Sequence, residues 1–280
     1  MSILSCKHYY IVLFFLMGSF SAFSQAKKSG TVAPKQTNQK TNHTASVMQA
    51  GSTAPTKCLN KKLSLAIHII TDSLNHTNVT QGQINAALAT LNTDFAPICL
   101  SFFICKQDTI YNYKYYQFDQ VKETPEVHAI YEVHNMINVY IVGSIIPAPE
   151  AGFAGKVGDY MVLTHVCLAD GKCWSHEMGH FFSLAHTFET ANGAELVNES
   201  NCVAAGDSIC DTPADINPAI PPVNGACQWI STAKDANQNY YTPIIGNIMS
   251  YHPAPCKTPF TVGQLNKMLN WYLSYRNYLY

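Results

Sequence analysis

His176-Glu177-Met178-Gly179-His180-Phe181-Phe182-Ser183-Leu184-Ala185-His186 is the stretch on which both fold and chemistry turn. On a helix, His176 and His180 stand four residues apart, so both imidazoles project from one face and can hold a single ion. Glu177 is rotated by about 100° from His176 and flanks that ion, where a carboxylate can polarise water. His186 lies six residues beyond His180. A straight helix could not carry it to the same ion, so the chain has to turn sharply near Ser183. Three neutral imidazoles leave a tetrahedral zinc with one open position, as a catalytic site requires.

Upstream of this segment the apolar periodicity alternates between strand and helix. Leu63, Leu65, Ile67 and Ile69 alternate with Lys62, Ser64, Ala66 and His68, which predicts a first strand. Thr80-Gln81-Gly82-Gln83 has the form of a capping box and opens a helix whose apolar face is Ile84, Ala87, Leu88 and Leu91. Leu100 to Cys105 and Ile137 to Val142 predict further strands, and Gly152 to Leu163 another, with Gly155 and Gly158 making its edge irregular. The metal-binding helix follows at roughly 172–183. Beyond His186 regular structure thins out: residues 187–247 are rich in Asn, Pro, Gly and Asp. A second capping box, Thr261 to Gln264, starts a final helix with Leu265, Met268, Leu269 and Tyr272 on one face. The expected fold class is α/β (α+β), a twisted mixed sheet with the metal-binding helix in the N-terminal half and an irregular C-terminal half.

The chain has 280 residues, and residues 1–24 have the form of an export signal. Lys7 supplies the positive start, Ile11 to Met17 the apolar core, and Ala22 and Ser24 the small residues before a cleavage point. That apolar core is too short to span a bilayer, so no membrane attachment is expected once the signal is removed. Residues 25–57 are poor in core-forming side chains and predict a disordered linker or short pro-segment. The catalytic domain is then expected over 58–280, divided into subdomains 58–186 and 187–280. With a net charge of −1 and 12% charged residues, the chain offers no signature of a nucleic-acid partner. Nine cysteines remain after the signal, which in an exported chain indicates disulfides and leaves one thiol over.

With the histidine segment in place, residues 62–275 resemble the pappalysin/cytophagalysin (M43-like) family of metzincin zinc metalloproteases. The resemblance rests on Gln83-Ile84 through Asp94-Phe95, the zinc run continuing into His186-Thr187-Phe188, and Gly206-Asp207-Ser208-Ile209-Cys210-Asp211-Thr212-Pro213. Asn247-Ile248-Met249-Ser250-Tyr251 and Phe260 to Gln264 complete it. One departure stands out: metzincin-type sites carry glycine where this chain has Ser183, because the turn needs positive φ. Serine there costs about 1–2 kcal/mol.

The resemblance implies that Met249 forms the hydrophobic floor of a Met-turn and that the Tyr251 hydroxyl stabilises an oxyanion. It also implies calcium in the irregular half, with Asp207, Asp211 and the Thr212 carbonyl as ligands, and a Cys227–Cys256 disulfide. Cys202–Cys210 would staple the Asp-bearing loop, while Cys99–Cys105 and Cys167–Cys173 are suggested by proximity alone. Cys58 would be the odd thiol, acting either as a latency thiolate on the zinc or in a disulfide with another cysteine.

The activity expected is secreted zinc-dependent endopeptidase chemistry on a protein or peptide substrate, with Glu177 as general base. One rival keeps the chemistry and makes Glu195 or Glu199 the third ligand instead of His186. Another makes the chain an exported binding or adhesion protein with a structural or vestigial zinc site.

Overall fold

The computed structural model describes residue 55 and residues 57–280, apart from 148–149, 156–157 and 217–222. The expected signal 1–24 and most of segment 25–57 lie outside the described residues. In chain order the regular elements are β1 (Lys61–Ile70), α1 (Gln81–Phe95), β2 (Leu100–Ile110), β3 (Gln117–Asp119), α2 (Thr124–Tyr131) and β4 (Ile137–Val142). They continue as β5 (Ser144–Ile146), β6 (Gly152–Ala154), β7 (Tyr160–Thr164), α3 (His165–Asp170), α4 (Cys173–Phe181) and α5 (Val262–Trp271).

The main sheet is mixed, in the order β2-β1-β4-β7-β6. All its pairings are parallel except β6 with β7. Parallel neighbours need crossover connections, and such sheets are normally covered on both faces. That is the arrangement found. Leu63, Leu65, Ile67 and Ile69 pack towards α1, α4 and α5. Ile70, Tyr140, Val142 and Val162 join a second cluster with Tyr115, Phe118 and Val127 from the β3, α2 and β5 side. From Ser64 onward the polar half of the β1 alternation is therefore buried too, while Lys62 stays exposed. His68 is wholly inaccessible and is held between Asp108 at 2.7 Å and Asn138 at 3.1 Å.

The capping boxes formed as their local chemistry dictates. Thr80 accepts from the Gln83 amide and Thr261 from the Gln264 amide, and each glutamine returns the bond. Ile84, Ala87, Leu91 and Phe95 of α1 are buried, each of the larger side chains contributing about 1.5–3 kcal/mol. Where one irregular strand was expected over 152–163, the chain instead makes the antiparallel pair β6–β7. Gly155 lies between them, and a Cβ there would stand 2.6 Å from the Tyr160 ring. Helices α2 and α3 were not foreseen. They span only 8 and 6 residues, too short for an amphipathic period to declare itself.

The cysteines correct two expectations. Cys58 is bonded to Cys99, so it is neither a free thiol nor available to a metal, and the Cys99–Cys105 pairing does not occur. Cys105 is itself disulfide-bonded. The bridges Cys167–Cys173, Cys202–Cys210 and Cys227–Cys256 all form, and no described cysteine is a free thiol.

Two buried acids organise the scaffold differently. Asp94, 2% exposed at the end of α1, accepts from Lys172 Nζ at 2.5 Å and from Ser175 Oγ at 2.6 Å. It thereby fixes α1 to the start of α4. Glu195 is 5% exposed, lies against Gly206, and both its carboxylate oxygens lack a hydrogen-bond partner among the described residues. Burial, with Asp207 and Glu199 nearby, pushes Glu195 up to about 8. Burial likewise pushes Asp207 up to about 7.

Two outcomes follow. Asp94→Ala strands the Lys172 ammonium and should lower the unfolding free energy by about 2–4 kcal/mol, read from the urea midpoint at constant m. A loss below ~0.5 kcal/mol would show that the brace is idle. For Glu195 the folded state holds its proton where the unfolded chain has released it. Its contribution is therefore full below its unfolded pKa of about 4.5 and is lost as pH rises towards 8. Glu195→Gln cannot lose that proton, so its stability relative to wild type should improve steadily from pH 4.5 to 8. A pH-independent difference would contradict this.

Candidate active site

Helix α4 carries His176, Glu177 and His180 into a cleft of about 1020 Å³ whose walls also include β6, Tyr251 and Lys257. The helix ends at Phe181, and the chain then reverses. Ser183 takes φ +73°, the left-handed conformation that the third ligand position demands. Ser183 donates its N–H to His180 O at 2.9 Å, and Leu184 donates to Gly179 O at 2.9 Å. These bonds hold a conformation that serine alone would disfavour. The reversal brings His186 back, and the three Nε2 atoms form a triangle with edges of 3.2, 3.1 and 3.0 Å.

The chemistry of that triangle suits zinc. His176 Nδ1 lies 2.8 Å from Ile248 O, and His180 Nδ1 lies 2.8 Å from Leu184 O. A carbonyl only accepts, so those Nδ1 atoms carry the protons and both Nε2 atoms present lone pairs to the centre. Burial lowers His176 well below its ordinary range and His186 to about 4, which keeps the rings neutral, as metal ligation needs. Two nitrogens about 2.0–2.1 Å from one zinc at tetrahedral angles stand roughly 3.3 Å apart. The residues fit the ion. Among the described residues this is the only cluster of three or more metal-capable His, Cys, Asp or Glu side chains.

Glu177 is buried beside the triangle, and burial raises it to about 8. A Cβ on Gly152 of β6 would come within 3.0 Å of the Glu177 side chain, so the small residue lets that strand lie against the carboxylate. The Tyr251 ring packs 4.6 Å from His186 and 5.8 Å from His176, centroid to centroid. The residue is more than half exposed, and the partial desolvation at the cleft wall raises its hydroxyl above the ordinary phenol range. Met249 is fully buried beneath the helix. A Cβ at Gly179 would stand 2.6 Å from Met249 Sδ, so the glycine inside the histidine motif exists to admit that sulfur.

Several supporting residues had no signature in the sequence. Asn247 and Gln264 exchange side-chain hydrogen bonds at 3.0 Å each, tying the Ile248–Met249 turn to α5. Thr187, next to His186, donates to Asp215 at 2.7 Å. Asp215 in turn lies 3.7 Å from His252 Nε2. Apart from Gln264 on α5, all are single polar residues in loops, and only their convergence marks these contacts.

The residues expected to bind calcium do not assemble as a site. Asp207 accepts from Thr212 Oγ1 at 2.9 Å and from Ile209 N at 3.0 Å. Asp211 accepts from Thr261 Oγ1 at 2.8 Å and Gly263 N at 2.7 Å, at the start of α5. Protein donors take up the oxygens in two different places, and calcium is unsupported. Glu195 does not join the histidines; its carboxylate lies against Gly206.

Comparison with known proteins agrees with this geometry. The Peptidase_M43 family pattern, described as pregnancy-associated plasma protein-A, matches residues 149–272. An extracellular metalloprotease of Arthroderma gypseum is 25% identical over 228 residues, covering 75% of this chain and 71% of the relative. One from Sordaria macrospora is 24% identical over 273 residues, covering 88% of each. Mirolysin, solved in complex with compound 9, aligns with a TM-score of 0.51 at 17% identity, over 76% of this chain and 91% of that one, and shares the fold. With the three facing imidazoles and the mixed sheet beneath them, these matches support a metzincin of the Peptidase_M43 (pappalysin) type.

Proposed function

We propose that the protein is a secreted zinc endopeptidase whose catalytic domain occupies residues 58–280, with His176, His180 and His186 as ligands and Glu177 as general base. The observation that carries this reading is the triangle of Nε2 atoms, 3.0–3.2 Å apart. Two of its lone pairs face inward because backbone carbonyls hold the other ring nitrogens. Zinc held there would supply Lewis acidity towards water and a scissile carbonyl.

The remaining chemistry belongs to the chain. Glu177, buried beside the histidines, is suited as a carboxylate to take a proton from the attacking water and pass it to the departing amine. The Tyr251 hydroxyl, on a ring packed against His186 and His176, would be the donor for charge developing on the carbonyl oxygen. Among the described residues strand β6 pairs only with β7 and ends the sheet; it also lines the cleft, where its edge can take an extended peptide as an added strand. Export is supported by the disulfides and by relatives named as extracellular metalloproteases. No helix of the described residues is long and apolar enough to cross a membrane.

Against a purely structural zinc stands the placement of Glu177 and Tyr251, neither of which a closed metal site would use. The deciding experiment measures bound zinc and cleavage of a peptide library by the mature protein, with and without a chelator. Glu177→Gln should retain zinc and lose at least ~10²-fold in turnover. Near-wild-type hydrolysis by that variant would refute the base assignment, and a zinc-loaded wild type that cleaves no peptide would refute the protease reading.

A further inference from the structure

The cleft contains a charge that the chemistry above does not use. Lys257 is the only lysine or arginine among the described residues lining it. The side chain is partly buried, and its ammonium forms no ion pair or hydrogen bond with a described residue. The other cations close by are committed. Lys172 is paired with Asp94, Lys267 donates to the Asp207 carbonyl at 2.8 Å, and Arg276 is paired with Asp159.

The backbone under Lys257 is braced on both sides. Its neighbour Cys256 is bonded to Cys227, its own N–H donates to Ala254 O at 3.1 Å, and Thr258 bridges to Asn247 beside the Ile248–Met249 turn. The cation is thus carried on the same rigid loop that supports His176, in a place where substrate must pass. Burial disfavours the charge and lowers its pKa, with Asp170 and Glu177 opposing from a distance. Asp170 is exposed and accepts instead from the Lys172 N–H. Glu150, Asp170, Glu177 and Glu189 line the same cleft, but none is bonded to Lys257. A partly desolvated ammonium without a direct ion-pair partner is a poor neighbour for an apolar or basic side chain and a good one for a carboxylate.

We propose that Lys257 is a specificity residue, its ammonium recognising an aspartate or glutamate side chain of the peptide at one fixed position beside the cleaved bond. The proposal rests on the protease reading and adds the substrate class to it. The shared chemistry is a carboxylate, which a peptide also carries at its C-terminus. The side chain is the expected source, because the free edge of β6 suits a chain that continues through the cleft.

The test uses zinc-loaded wild type, Lys257→Met and Lys257→Glu. Each is given acetylated, amidated peptides that differ only in carrying Asp, Glu, Ala or Lys at each position around the cleaved bond, and a matching set with free C-termini. In wild type the kcat/KM ratio of acidic to alanine peptides should reach at least ~10 at one position in both sets. It should fall towards 1 in Lys257→Met and turn in favour of lysine in Lys257→Glu. No acidic preference in wild type, a preference that survives in Lys257→Met, or one confined to free C-termini would overturn the proposal. Binding of the same peptides to zinc-loaded Glu177→Gln protein, read by fluorescence anisotropy, separates it from the protease reading. Hydrolysis without acid selectivity removes Lys257 and leaves the protease. Acid-selective binding that Lys257→Met abolishes, in a protein that hydrolyses nothing, removes the protease and leaves Lys257.

Discussion

Nitrogen lone pairs converge on one point in this molecule because hydrogen bonds on the far side of two rings leave them nowhere else to go. Ile248 O takes the His176 Nδ1 proton and Leu184 O takes that of His180. With those protons placed, the His176 and His180 Nε2 atoms stand 3.1 Å apart with no hydrogen between them, and His186 Nε2 lies 3.0–3.2 Å from both. Such an arrangement is repulsive without a cation at its centre and strongly binding with one. The two carbonyls come from different parts of the chain. One belongs to the reversal just past α4, and the other to the turn ahead of α5, more than sixty residues later.

The rest of the structure can be understood as what holds those two carbonyls steady. Below the helix, Gly179 leaves the space that Met249 fills. Behind the turn, the reciprocal amide pair Asn247–Gln264 fastens it to α5. In front, Asp94 pins α4 to α1 through Lys172 and Ser175, and α1 is seated on the sheet by its apolar face. Disulfides then secure loops that have little core of their own. The strain at Ser183 is tolerable because its neighbours' backbone bonds over-determine the turn.

Much of the frame was legible in the sequence. The alternation in β1, the unbroken run of β4 and the capping boxes of α1 and α5 are all local signals, and each element formed where its residues placed it. The histidine spacing likewise foretold a turn near Ser183, and the turn is there with φ +73°. Legibility failed where the deciding contact was distant. Cys58 looked like the unpaired thiol because nothing nearby claims it, yet β1–β2 pairing brings Cys99 to it across 41 residues. Asp207 and Asp211 looked like ion ligands because oxygen-rich loops often are; folding assigned their oxygens to Thr212 and to the first turn of α5. The β6–β7 split depended on how Tyr160 packs over Gly155, which no periodicity encodes.

By itself, then, the sequence determined the ligand types, their spacing and the elements that carry them, since these follow from helix pitch, strand alternation and capping, all acting within a few residues. Only the tertiary structure decided which carbonyls orient the imidazoles, which glycine makes room for Met249, and which cation faces the cleft with no ion-pair partner among the described residues. Those depend on residues tens of positions apart meeting at hydrogen-bond distance, and burial alone makes such meetings energetically decisive.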